Sequence, residues 1–177
     1  RSLLWNVNPV YCENVIIRGI TVNSTDVPSG DGIDISSCKN VLIEYSTLNC
    51  GDDCFTLKAG RCEDGLRVNR PTENVLIRYC LAKDGHGGIT CGSETAGAYA
   101  VCIFTTACST AHARVSASRQ GANRGGTVED ITYENIRLVN VREAFTWICS
   151  VQRCIWVSLR AAIRRSTSLR LRLRLRT

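Results

Sequence analysis

The chain has 177 residues, 44% of them hydrophobic and 21% charged, which gives room for one domain of ordinary globular composition. No run reaches the ~18 apolar residues of a transmembrane helix, so a helical membrane span is excluded. The formal net charge of +6 is uneven: residues 1–150 hold 14 Lys and Arg against all 16 Asp and Glu, a net of −2, whereas residues 151–177 hold 8 Arg and no acid.

The first residues, Arg1-Ser2-Leu3-Leu4-Trp5, neither start with Met nor show a basic-then-apolar leader. The chain therefore reads as a fragment or a processed product, with no signal peptide visible. Residues 1–28 read as one coil, with strands over 15–17 and 20–22. A turn at Asp26-Val27-Pro28-Ser29-Gly30 leads into residues 31–60, a second coil that carries Asp31, Asp52 and Asp53. Residues 60–71 read as a polar loop long enough to rim a groove. Residues 72–97 form a third coil, and residues 98–118 keep only a vague strand at Val101-Cys102-Ile103-Phe104. Helical signals are almost absent; the strands are short, rich in Val, Ile, Leu and Thr, and bounded by Gly, Asn, Asp and Ser.

Two repeats set the register. Asn14-Val15-Ile16-Ile17-Arg18, Asn40-Val41-Leu42-Ile43-Glu44 and Asn74-Val75-Leu76-Ile77-Arg78 are near copies, and Asp130-Ile131-Thr132-Tyr133-Glu134 is a weaker echo. Their starts are 26, 34 and 56 residues apart, the last step being two coils of 28. Self-similarity at such a period marks a solenoid. The second repeat aligns Ile33, Phe55 and Ile89, then Asp34, Thr56 and Thr90, then Ile35, Leu57 and Cys91. Under it Asp31 lies level with Asp53 and Gly87, and Gly30 with Asp52 and His86. Parallel strands stack ~4.8 Å apart, so Asp31 and Asp53 are expected as neighbours on the outer surface, with His86 one coil beyond Asp52. The fold expected is all-β, a partial right-handed parallel β-helix over residues 1–146, followed by a basic irregular tail over 147–177.

Eleven cysteines cannot all pair within one chain. Cys12 and Cys38 each sit two residues before a repeat Asn, and Cys50 and Cys80 end comparable strands. An interior column of buried thiols is favoured over a disulfide framework. No Cys-x-x-Cys pair supports zinc, and no metal or cofactor is expected. The tail's alternating Leu169–Arg176 run reads as a disordered or edge-pairing segment. A grip on nucleic acid or an acidic polymer is its functional alternative, but no nucleic-acid partner is expected.

Adjacent carboxylates such as Asp52 and Asp53 disfavour each other's ionisation, and a lone pair of this kind is usually a solvated turn. The ordered set Gly30-Asp31-Gly32-Ile33-Asp34, Gly51-Asp52-Asp53, Gly85-His86-Gly87-Gly88 and Gly92-Ser93-Glu94 resembles glycoside hydrolase family 28, the polygalacturonases and related pectin hydrolases, over roughly residues 5–146. The resemblance implies a parallel β-helix enzyme that cleaves α-1,4-galacturonosyl linkages of pectin with inversion. By it, Asp52 is the general acid, Asp31 and Asp53 are the bases that deprotonate water, and His86 tunes Asp52. Arg114, in Arg114-Val115-Ser116, and Lys58 would hold the uronate carboxylate if both face outward. It further implies a pectic polysaccharide partner, a monomer, and an extracellular or periplasmic site of action. The alternatives are a non-catalytic polysaccharide-binding β-helix, a calcium-dependent pectate lyase, and an inactive truncated pectinase.

Overall fold

The structure, a computed structural model, describes residues 3–105, 108–110, 112–120, 126–149, 158–159 and 167–173, with side chains for 3–105 and 126–145. The first coil lays down Glu13–Arg18 (β1), Thr21–Ser24 (β2) and Ile33–Ser36 (β3). The second gives Lys39–Glu44 (β4), Thr47–Cys50 (β5) and Phe55–Lys58 (β6), and the third Thr72–Arg78 (β7), Leu81–Ala82 (β8) and Gly85–Cys91 (β9). Tyr99–Thr105 (β10), Cys108–Thr110 (β11) and His112–Gln120 (β12) make a fourth, and Val128–Val139 (β13) and Glu143–Cys149 (β14) a fifth. Like-placed strands pair in parallel, β1-β4-β7-β10-β13, β2-β5-β8-β11-β13 and β3-β6-β9-β12-β14. The architecture is an all-β right-handed parallel β-helix, the sense that parallel crossovers take.

Its core follows from the register. Ile33 pairs with Phe55 and Phe55 with Ile89; Ile35 pairs with Leu57 and Leu57 with Cys91. All six side chains are buried, and each large one contributes about 1.5–3 kcal/mol through burial. On the adjoining wall Val41 stacks on Val75 and Ile43 on Ile77, and the column continues through Cys102 and Phe104 to Ile131 and Tyr133.

The repeat asparagines mark a corner of the coil. Asn14, Asn40 and Asn74 take left-handed backbone at φ 58°, 56° and 54°, a conformation that Asn tolerates better than most residues. Their amides also stack: Asn40 Nδ2 donates to Asn14 Oδ1 at 3.0 Å, and Asn74 Nδ2 to Asn40 Oδ1 at 3.1 Å. The Asn-Val signature is thus a turn requirement followed by a core residue.

Several expectations need correction. Over residues 98–118 the vague strand expected is a regular one, because β10 pairs with β7 on one side and β13 on the other. There Val101 fills the corner where earlier coils have Asn, which hid the repeat. The polar loop contains a short helix, Cys62–Val68 (α1), with Glu63 and Asp64 in its first turn, Arg67 in its last and a left-handed Asn69 at its end; these charges suit the helix dipole. Cys80 is level with Ser46 rather than Cys50, since Leu81 pairs with Thr47. The tail, by contrast, agrees with its edge-pairing reading in two short antiparallel pairings: Ser158–Leu159 (β15) on β14 and Thr167–Leu173 (β16) along the open side of β13. The rest of its Leu-Arg run lies outside the described residues. Among the residues with described side chains eight cysteines are thiols, Cys12, Cys38, Cys50, Cys54, Cys62, Cys80, Cys91 and Cys102. Burial pushes Cys91 up to about 12 and Cys80 up to about 11, which makes both inert packing groups.

Candidate active site

The site forms at the leading ends of β3, β6 and β9, where the chain turns a corner into the stacked sheet. Gly32 N–H donates to Asp53 O at 2.9 Å, and Cys54 N–H to Gly87 O at 2.8 Å. Asp31, Asp53 and Gly87 are therefore level, as the sequence register requires. His86 N–H donates to Asp52 O at 3.0 Å, which sets the imidazole one coil beyond Asp52. Glycines let the corners pack this closely: a Cβ on Gly32 would meet Cys54 O at 2.5 Å, and one on Gly51 would meet Val27 O at 2.1 Å.

Asp31, Asp52 and Asp53 open onto one cavity of about 190 Å³, together with Trp5, Lys58 and Glu94. Asp52 is the accessible member, with its side chain 27% exposed, and His86 Nδ1 lies 3.3 Å from Asp52 Oδ1 on the solvent side. Asp31 and Asp53 are 3% and 5% exposed, so they line a recess rather than the expected outer surface. Trp5 on one side and Ser93 and Glu94 on the other wall them in.

Lys58 differs most from expectation. It is level with Ser36 and so shares the outer sheet face with Asp34, yet it is buried. Its Nζ lies 3.2 Å from Asp34, 3.4 Å from Asp31 and 3.6 Å from Glu94. The Trp5 ring centroid is 3.9 Å away, within cation–π range. Burial works against this ammonium, but Asp34, Glu94 and Asp31 outweigh it and hold its pKa above the usual lysine range. Burial likewise raises the Asp31 carboxyl, with Lys58 opposing. Asp34 is pushed up to about 8 by burial, against the pull of Lys58 and with the Asp31 charge adding to the rise. Of the two, Asp34 keeps a proton at neutral pH.

Arg114 pairs with Gly87 on one side and Glu143 on the other. That backbone position continues the Asp31–Asp53–Gly87 column, and its side chain lies outside the described residues. Asp34 and Glu94 stood inside quoted motifs but carried no role in the sequence reading. Trp5 stands ahead of the first repeat, where no periodic signal marks it. Among the described residues, no group of three or more His, Cys, Asp or Glu is arranged to hold a metal ion.

Residues 4–147 match the family model described as glycosyl hydrolases family 28. A probable polygalacturonase of Vitis vinifera is 39% identical over 95 residues, 52% of this chain and 19% of that protein. The chain thus spans about a fifth of that relative's length. Among solved structures, a hyperthermoactive exopolygalacturonase from Thermotoga maritima superposes with a TM-score of 0.81 at 36% identity, covering 82% of this chain and 33% of that one. A family 28 exopolygalacturonase of Yersinia enterocolitica shares the fold with a TM-score of 0.78 at 19% identity, covering 84% of this chain and 26% of that one.

Proposed function

We propose, from the premise that the chain belongs to glycosyl hydrolases family 28, that its cavity hydrolyses α-1,4-galacturonosyl bonds of a pectic polysaccharide with inversion. The observation that carries this reading is the opening of Asp31, Asp52 and Asp53 onto one recess. Glycoside hydrolysis needs a carboxylic acid to protonate the leaving oxygen and a carboxylate to act on the opposite side.

Asp52 suits the acid because it is the carboxyl nearest solvent and has His86 beside it. It gives its proton to the glycosidic oxygen as the C–O bond breaks. Asp31 and Asp53, level with each other and deeper in the recess, take a proton from the water that attacks the anomeric carbon. Water's OH becomes the new hemiacetal hydroxyl, and the proton left on the base makes up for the one that Asp52 gave to the leaving oxygen. Inversion needs a gap of ~6.5–9.5 Å between acid and base to admit that water. On the same reading the site of action is extracellular or periplasmic and the protein is a monomer.

The test is release of reducing ends from polygalacturonate, with and without chelator, for the chain and for Asp52→Asn, with the anomer first formed read by NMR. Hydrolysis that survives chelation, fails in Asp52→Asn and yields the inverted anomer is expected. Binding without release would give the site to a polysaccharide-binding β-helix. A calcium-dependent, UV-absorbing product would make it a lyase.

A further inference from the structure

The ammonium of Lys58 is almost entirely spoken for. It has three donors, and three carboxyl groups lie within 3.6 Å of it, from Asp31 ahead of β3, Asp34 on β3 and Glu94 after β9. The Trp5 ring covers a further side, and the side chain is 9% exposed. An incoming uronate carboxylate would have to displace one of these partners. The same ammonium, however, touches Asp31, whose carboxyl opens onto the cavity together with Asp52 and Asp53.

We propose that Lys58 is a positioning residue: its buried ammonium, gripped by Asp34 and Glu94, holds the Asp31 carboxylate ionised and turned into the cavity. This rests on the reading of the cavity as a hydrolase. A charge 3.4 Å from a buried carboxylate favours the ionised form, which is the form a base needs to take a proton from water. Asp34 anchors the cation from the sheet, and Glu94 ties it to the far wall, so the Asp31 orientation depends on all three coils. Trp5 shields the cluster from water, which strengthens each of these attractions.

Lys58→Met removes the cation while keeping most of the volume. The acid limb of its kcat/KM profile on polygalacturonate is expected to move up by about one pH unit. Rates on that limb then fall about tenfold, with KM changed less than about threefold. A large rise in KM with an unmoved profile would overturn the proposal and assign Lys58 to substrate. If Lys58→Met does not fold, Lys58→Met/Asp34→Asn removes the cation and also the buried carboxyl that would be left without it, and is expected to show the same displaced profile; a wild-type profile there overturns it. The Asp31 carboxyl-carbon titration, followed by NMR, reads the clamp without turnover. A wild type that releases no reducing ends, with Asp31 still shifted by Lys58→Met, rejects the hydrolase reading alone. An active wild type whose Asp31 titration ignores Lys58→Met rejects the clamp alone.

Discussion

A Cβ built on Gly87 would lie 2.6 Å from Asp53 Oδ1 and 2.2 Å from Thr90 Oγ1. The space that a side chain would take at this level of the third coil is filled by the Thr90 hydroxyl and by the carboxylate from the coil before. Where Asp31 and Asp53 project, Gly87 must not, and this one missing side chain lets the acid recess close. Gly87→Ala is therefore expected to push Asp53 aside rather than only perturb the strand. Overpacking of this kind costs about 1–3 kcal/mol. Urea unfolding reads that cost, and reducing-end release is expected to fall further than the stability loss explains; full activity with an added methyl would show that the Asp53 position is not critical.

Most of this arrangement was written in repeated residues. Ile33, Phe55 and Ile89 are interchangeable as core fillers, so their spacing alone set the register, and the level of Asp31 with Asp53 followed. Coil four was hidden because its corner residue is Val101, which breaks the Asn-Val signature although the backbone there is the same as at Asn74. Helix α1 was hidden by its length of seven residues and an internal Gly65, both below what periodicity can detect. The depth of the acids was illegible for another reason. Burial of Asp31, Asp34 and Lys58 depends on Trp5 and Glu94 arriving from coils on either side, and no local pattern records a tertiary roof.

Val101 is a β-branched residue at φ 52° and is 46% exposed. Left-handed backbone costs such a residue about 1–2 kcal/mol, and nothing on the exposed side repays it. Val101→Asn is expected to stabilise the chain by about 1 kcal/mol, raising Tm by about 2–4 °C for a chain of this size. Asn40→Val, which imposes the strain and removes both stacked amide bonds, is expected to lower it by more. Thermal unfolding followed by circular dichroism measures both, and an unchanged Tm in Val101→Asn would mean that the corner carries no strain.

His86 touches Asp52 from the solvent side, with its own side chain 63% exposed. If Asp52 is the acid and His86 positions it, Asp52→Asn loses most of its turnover, whereas His86→Ala leaves a slower enzyme with a smaller loss. General acid catalysis is worth about 10²–10⁴-fold, which sets the loss expected in Asp52→Asn. Steady-state kinetics on polygalacturonate checks both variants, and equal loss in the two would instead make the imidazole indispensable to the acid.

Asp34 gives the fold a pH dependence whose sign can be worked out. Its carboxyl is raised from 3.8 to about 8 in the folded chain, so between these values the folded state holds a proton that the unfolded state has lost. Stability then falls as pH rises through that window, with a slope of at most about 1.4 kcal/mol per pH unit from this one group. The Lys58 ammonium has the same sign in a higher window: its pKa is raised on folding, so its contribution is intact below the usual lysine range and is lost only as pH rises above it. Asp34→Asn keeps the neutral shape that the protonated acid presents and cannot ionise, so it is expected to flatten the decline between about pH 5 and pH 8. Urea unfolding of both proteins at pH 5, 6.5 and 8 compares the slopes. Parallel curves would show that Asp34 is already ionised beside Lys58 at neutral pH, and that the proton held in this cluster lies elsewhere.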